Sequence, residues 1–301
     1  MAFDLTEKLV IGVSTRALFD MTCENHIYES EGLEAYRDYQ MQHEEEPMKP
    51  GPGFALVKAF LSLNELSGKD IVEVIIMSRN SADTSLRVFH SIRHYGLSIS
   101  RAVLAGGASL APYLSAFQTD LFLSAHEDDV QAAINAGIAA GIICTDGRVN
   151  YEKNDKAVQI KIAFDGDAVL FTDESERIFK EQGLLAFEQN EVEKADQPLK
   201  EGPFARFLQS IARIQQAFGA DVAPIRTALV TSRCAPAHER AVKTLRSWGI
   251  RVDEAFFLGG ISKRDVLKAF GADIFFDDQS IHTLPASEYV FAARVPYRSS
   301  A

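Results

Sequence analysis

Cysteine is scarce in this chain: Cys23, Cys144 and Cys234 are the three in 301 residues, and no two lie close together. That excludes a disulfide framework or a zinc ribbon, and reads as reduced, mostly buried thiols in a cytoplasmic setting. No block of Lys and Arg stands out, and 42 acidic against 31 basic residues leave a formal charge of -11. The basic footprint that a nucleic acid polymer requires is therefore lacking. Long apolar runs are lacking too. The most apolar stretch, "AAINAGIAAGIIC", is interrupted by Asn135 and is too short to span a bilayer. The opening "MAFDLTEKLVIGVSTR" carries acids where a secretory signal carries basic residues. The expectation is a soluble, unprocessed, cytoplasmic protein with no membrane partner.

What is present is an apolar content of 47%, enough for the cores of two ordinary domains, and an internal repeat. "IYESEGLEAY" (27 to 36) matches "IFKEQGLLAF" (178 to 187), and "EPMKPGPGF" (46 to 54) falls on "QPLKEGPFA" (197 to 205). "VEVIIMSRN" parallels "IRTALVTSRC", "RAVLAGGAS" parallels "EAFFLGGIS", and "FQTDLFLSA" parallels "FGADIFFDD", always in the same order. A preserved order at a nearly constant offset implies a duplicated unit. In each copy apolar strands alternate with helical patterns, and a Gly-Pro pair opens one of the helices. The fold class is therefore α/β: two tandem, duplicated Rossmann-like units with mostly parallel sheets, spanning 1–150 and 151–301, with ligands at the carboxyl ends of the strands. The boundary falls in the polar "TDGRVNYEKNDK" (145 to 156). A small insertion from about 174 to 203 in the second unit is a candidate cap that excludes water.

The copies differ in their reactive groups. The second has Asp165 and Asp167 after its first strand, Thr231 after its second, Lys263 opening a helix, and Asp277 with Asp278 after "ADIFF". The first has Met77 for Thr231, Leu110 for Lys263, and Ser124 with Ala125 for Asp277 with Asp278. At the first strand end either Ser14 and Arg16 or Val13 and Thr15 oppose the aspartates. Since both copies hold a sheet, the acids of the second are not needed for the fold.

Carboxylates gathered at one sheet edge repel one another unless a cation neutralises them, and an oxygen-only set (Asp165, Asp167, Asp277, Asp278) points to Mg²⁺. Lys263 and the Thr231 hydroxyl add the means to hold a phosphoryl group. Residues two apart at a strand end can face one side, so Asp165 is the candidate nucleophile and Asp167 the candidate acid/base. His90 and His94 are four apart on an expected helix, but no third ligand and no HExxH pattern accompany them, so a solvated helix face is the default. "QHEEEP" (42 to 47) reads as a solvated charge run.

"IAFDGDAVLF", "ALVTSR", the Lys263 segment and "IFFDDQ", in that order, resemble the four motifs of the haloacid dehalogenase (HAD) superfamily of phosphatases. "STRALFDM", "EPMKPGPGF", "FDGDAVLFTDESERI", "KTLRSWG" and "FFDDQ" together resemble the cytosolic 5′-nucleotidase type I family along nearly the whole chain. This chain has Ala168-Val169 where many superfamily members place Thr or Val. The resemblance implies Mg²⁺-dependent hydrolysis of a nucleoside 5′-monophosphate, typically AMP, and a homo-oligomer. It makes Asp165 the nucleophile, Asp167 the acid/base, Thr231 and Lys263 the phosphate binders, and Asp277 and Asp278 the metal acids. Two alternatives stand beside it: a phosphatase for another phosphomonoester, such as a sugar phosphate, and a non-catalytic nucleotide sensor, against which the intact acid set argues. For the first copy two readings stay open. It is a packing or oligomer surface, or its strand-end residues Ser14, Thr15, Arg16, Arg79 and Asn80 bind the base or a nucleotide effector.

Overall fold

The computed structural model describes residues 4–143, 159–218 and 223–298. The boundary expected at 145–156 and Cys144 lie outside these residues. Of the other two cysteines, both free, Cys23 is exposed and Cys234 partly exposed, so the expected burial does not hold for them.

Ten strands occur among the described residues: β1 (Leu9–Val13), β2 (Val72–Ser78), β3 (Arg101–Leu104), β4 (Leu121–Ser124), β5 (Ala139–Ile143), β6 (Ile160–Phe164), β7 (Ile225–Thr231), β8 (Glu254–Phe257), β9 (Ile274–Asp277) and β10 (Phe291–Arg294). They form one sheet in the order β3-β2-β1-β4-β5-β10-β9-β6-β7-β8. Neighbours run parallel except at the centre, where β5 and β10 are antiparallel through Ala293 opposite Ile143 and Arg294 opposite Ile142. The inner strands read as near-continuous apolar runs because helices cover both faces of a parallel sheet. β1, LVIGV, is buried at every position.

The two halves therefore do not keep separate sheets, as the sequence reading expected. Each would expose a strand edge at β5 or β10, and pairing the two edges satisfies both. The approach at this seam is close: a Cβ on Gly141 would lie 2.8 Å from the Ala293 Cβ. Glycine at 141 is what lets β10 pack there.

The strand order β3-β2-β1-β4-β5 of the first half recurs as β8-β7-β6-β9-β10 in the second. A helix pair follows the first strand of each: Thr22–Glu31 and Leu33–Gln42 after β1, Glu174–Gln182 and Leu184–Glu193 after β6. Next comes a long helix, Phe54–Ser67 or Ala205–Phe218, which buries apolar residues at helical spacing, among them Leu56, Val57, Phe60 and Phe207, Leu208, Ile211. In the second half Phe204 and Phe207, at the start of that helix, close on Phe164 of β6 and Phe276 of β9. Ring centroids are 4.5 Å apart for Phe204 with Phe276 and 5.7 Å for Phe164 with Phe276. Two members of this aromatic cluster, Phe164 and Phe276, immediately precede Asp165 and Asp277 in the chain.

Candidate active site

The chain leaves β6 at Asp165, whose N–H donates to the Phe276 carbonyl at 2.8 Å, holding the strand end against β9. The Gly166 N–H donates to Asp165 Oδ1 at 2.7 Å. The backbone then turns tightly over Gly166–Leu170, with Asp167 extended (φ -69, ψ 139) and Ala168 in the left-handed region (φ 62, ψ -7). A non-glycine residue there carries strain that its surroundings must hold. The hold comes from the segment before the long helix: the Gly202 N–H donates to the Leu170 carbonyl at 2.8 Å and the Phe204 N–H to the Val169 carbonyl at 3.0 Å. A Cβ on Gly202 would fall 2.3 Å from the Phe171 carbonyl oxygen, so only glycine fits this approach.

Asp165, Asp277 and Asp278 are all buried, and one oxygen from each lies within 4.8 Å of the others. Lys263, 1% exposed in its side chain, sits among them with Nζ 2.8 Å from Asp165 Oδ1 and 2.6 Å from Asp277 Oδ2. Asp277 Oδ1 accepts the Gln279 N–H at 2.8 Å. Burial pushes the Asp165 carboxyl up to about 7, with Lys263 pulling the other way and the Asp277 charge adding to the rise. Burial likewise raises Asp277, and lifts Asp278 to about 8. For Lys263 burial favours loss of the proton, but Asp165 and Asp277 outweigh it and raise the ammonium to about 12.

A divalent cation fits this group. All the donors are hard carboxylate oxygens, and Asp278 Oδ1 is a buried oxygen with no hydrogen-bond partner. On its other side Asp278 contacts Tyr297, whose hydroxyl also lies 2.8 Å from Glu176 Oε2. Gln279 and Lys180 hold Glu176 in place at 3.1 and 2.7 Å. A phenol has one proton to donate, so Tyr297 serves one of the two carboxylates at a time.

The structure does not bring Asp167 into this group, where the sequence reading had placed it. The turn after β6 ends the strand alternation, and both Asp167 oxygens accept from Arg233: Oδ2 from Nε at 2.8 Å and Oδ1 from Nη2 at 2.6 Å. Arg233 follows β7, and its third nitrogen, Nη1, donates to Glu191 on the helix Leu184–Glu193. Glu191, with a fully buried side chain, also accepts from Arg240 Nη1 at 2.9 Å and Ser175 Oγ at 2.8 Å. Burial works against its charge, yet Arg233, Ser175 and Arg240 together leave its carboxyl below the ordinary value. Thr231, at the end of β7, is buried, with Oγ1 accepting the Arg233 N–H at 3.2 Å.

Arg233, Glu191, Glu176 and Tyr297 were not singled out from the sequence. Arg233 lies inside the quoted "ALVTSR", but its partner is 66 residues earlier. Glu191 is one of several acids in a polar insertion, with nothing in the string to mark it.

The five strand-end residues of the first half, Ser14, Thr15, Arg16, Arg79 and Asn80, gather on one cavity. Hydrogen bonds decide which residue there corresponds to which in the second half. The Ser14 N–H donates to the Leu123 carbonyl at 2.9 Å as that of Asp165 does to Phe276, so Ser14 and Arg16 stand opposite the two aspartates. The Asn80 N–H donates to Ser78 Oγ at 3.1 Å as that of Arg233 does to Thr231. The counterpart of Thr231 is therefore Ser78, not Met77. Sheet register agrees, with Val13 opposite Ile76 in β2 and Phe164 opposite Leu229 in β7.

His90 lies with Glu44 and Glu45 in a second group of possible ligands, at the surface. His94 is not part of it. No helix among the described residues is long and apolar enough to cross a membrane.

Comparison with known proteins matches the chain both to a family and to an individual relative. A family model described as 5′-nucleotidase matches residues 1–301. Cytosolic 5′-nucleotidase 1B of Homo sapiens is 41% identical over 285 residues, which cover 91% of this chain and 46% of the human protein. The chain thus spans about half the length of that relative.

Proposed function

The chain belongs to the 5′-nucleotidase family, and from that premise we propose that it is a cytoplasmic phosphomonoester hydrolase that converts nucleoside 5′-monophosphates, AMP in particular, to nucleoside and phosphate with Mg²⁺. The observation that carries this reading is the buried group of Asp165, Asp277 and Asp278 with the Lys263 ammonium bound between two of them. A site that only bound nucleotide would not need a carboxylate nucleophile at the strand end. On this reading residues 1–150 and 151–301 are duplicated units, only the second of which is catalytic, and the 174–203 insertion is its cap.

Asp165, Asp277 and Asp278 would hold the ion, which when bound neutralises the acids and draws charge from the phosphoryl oxygens. Lys263 keeps its proton and offers a second positive charge to the phosphoryl group. Thr231, one strand over, supplies a hydroxyl. Asp165 attacks phosphorus, the bond to the nucleoside 5′ oxygen breaks, and Asp167 gives that oxygen a proton. Water then attacks the aspartyl-phosphate, Asp167 takes its proton, and phosphate leaves with Asp165 restored. To do this Asp167 leaves the Arg233 fork, in which both its oxygens accept, and takes up a proton from solvent before it meets the leaving oxygen. Glu191 and Arg240 keep Arg233 in position meanwhile, so the insertion that carries Glu191 is linked to the acid/base.

Phosphate release from a panel of nucleoside 5′-monophosphates and sugar phosphates, with Mg²⁺ or EDTA, tests the reading. Mg²⁺-dependent release that favours the nucleotides supports it. Equal or faster release from sugar phosphates contradicts the substrate class.

A further inference from the structure

The carboxyl ends of β1, β2 and β4 border a cavity of about 590 Å³ that the hydrolytic reading leaves unused. Its size is within the roughly 300–1,000 Å³ usual for small-molecule sites. It occupies the place that the acidic group occupies in the second half, but its chemistry is altered at each corresponding position. Ser14 stands where Asp165 does, and Ser124 and Ala125 stand where Asp277 and Asp278 do. There is thus no carboxylate cage for a cation at these strand ends. The two acids on the cavity wall are already engaged: Asp129 Oδ1 lies 2.6 Å from Arg79 Nη2, and Glu29 Oε1 accepts from Asn25 Nδ2 at 2.7 Å.

At one position the charge is reversed. Arg16 takes the place of Asp167, and its Nη1 donates to the neutral Asn25 Oδ1 at 3.1 Å. No carboxylate among the described residues pairs with it. Three buried polar atoms of the cavity-lining residues make no hydrogen bond: Thr15 Oγ1, on a residue 3% exposed, Arg79 Nε, and Asp129 Oδ1, whose charge the Arg79 guanidinium balances. Such atoms cost stability unless something binds them, and here a hydroxyl and two guanidiniums face one space. Together with Ser14 they form a donor set for an anionic oxygen group that needs no metal. The wall is otherwise mixed, with polar residues such as Asn80 and Ser124 beside an apolar and aromatic part that includes Met21 and Tyr36. It extends to Tyr28 and Leu33, which are 52% and 65% exposed at the rim. Large apolar side chains left open beside an anion-binding floor suit a flat ring joined to a phosphate.

We propose that this cavity is a second, metal-independent binding site for a nucleoside phosphate, with the phosphate at Ser14, Thr15 and Arg16 and the base against Tyr28 and Leu33. The ligand binds here without being hydrolysed, because Ser14 stands in place of the carboxylate nucleophile and no carboxylate cage for a metal ion lies beside it. The inference rests on the residues of this half and not on turnover in the other.

Isothermal titration of the full chain with AMP, adenosine and inorganic phosphate, in EDTA throughout, tests it. Without a divalent ion the catalytic acids repel phosphate and turnover stops, so that half is silent. The expected result is saturable AMP binding, tighter than that of adenosine or phosphate alone. Arg16→Glu weakens it by at least roughly tenfold, a change easily resolved in Kd, and Asp277→Asn leaves it unchanged. Tyr28→Ala, at an exposed position, weakens it as well and keeps the test decisive if Arg16→Glu does not fold, which a circular dichroism melt reveals. No binding at millimolar AMP, binding insensitive to both first-half variants, or binding abolished by Asp277→Asn would each overturn the proposal. Adenosine binding as tightly as AMP would overturn its anionic half. Because no phosphate is released in EDTA, this outcome is independent of the hydrolysis assay.

Discussion

Replacing Glu191 by Gln should destabilise the protein and slow it, for a reason that can be worked from the structure. The Glu191 carboxylate is fully buried and balances two buried guanidiniums, those of Arg233 and Arg240. Gln keeps the shape but removes the charge, leaving Arg240 with the Gln197 carbonyl and Arg233 with Asp167. Breaking a buried ion pair from one side costs about 3–5 kcal/mol. In a chain of this size that lowers the melting temperature by at least about 5 °C at pH 7. The dependence on pH has a definite sign. Glu191 has a folded pKa below its ordinary 4.5, so its stabilisation is fully present above that value and is lost as pH falls through the folded pKa. The gap between native protein and variant should therefore be full at pH 7 and narrow only in stronger acid, as pH falls through the folded pKa below 4.5 and the native side chain is neutralised too. Arg233 loses one of the two carboxylates that orient it, so phosphate release measured well below the melt should fall roughly 10- to 100-fold through misplacement of Asp167. Circular dichroism melts at the two pH values and a phosphate-release assay make the comparison. Melts within about 1 °C of native at pH 7, or a gap of equal size in acid, would refute the reasoning.

Lys263→Met leaves three buried acids with no ammonium among them. In EDTA it should melt well below native, by an amount consistent with the loss of a buried pair, about 3–5 kcal/mol, and Mg²⁺ should restore more of the loss than it adds to native protein; an unchanged melt in EDTA would contradict this. Mg²⁺ itself should raise the native melting temperature with the logarithm of its concentration, stabilising the fold by about 2.7 kcal/mol at a hundred times Kd. That rise should be absent from Asp277→Asn, and a differential scanning measurement that finds it intact there would remove Asp277 from the cation site. Gly202→Ala forces a methyl into the Phe171 carbonyl, and should cost about 1–3 kcal/mol while lowering kcat more than it raises KM, because the turn that moves carries Asp167.

The acidic strand ends were legible in the sequence because acids there follow apolar runs, and because a matching run elsewhere in the chain ends without them. Asp165, Asp277 and Lys263 meet as that comparison implies. The setting of Asp167 was not legible, since the two-residue alternation of a strand stops at Gly166 and Ala168 turns the chain at positive φ. Its partner Arg233 depends on the order of β6 and β7 in the sheet, which no local spacing encodes. The assignment of Met77 in place of Ser78 has a similar origin: matching strings aligns letters, whereas strand register decides which side chain reaches the edge. The seam between β5 and β10 depends on small residues, Gly141 and Ala293, whose packing role appears only when the two strands are side by side. The first-half residues did gather on one cavity, because successive parallel strands bring their carboxyl ends to the same side of the sheet.

The most direct test of the central claim, that Asp165 is the nucleophile of a metal-assisted phosphatase, is phosphate release from AMP with saturating Mg²⁺ by native protein and by Asp165→Asn, each first shown to be folded by its melt. The account expects Mg²⁺-dependent release by the native chain and a loss of at least about a thousandfold in the variant, the scale on which removal of a covalent nucleophile acts. Release by Asp165→Asn within about tenfold of native would contradict it.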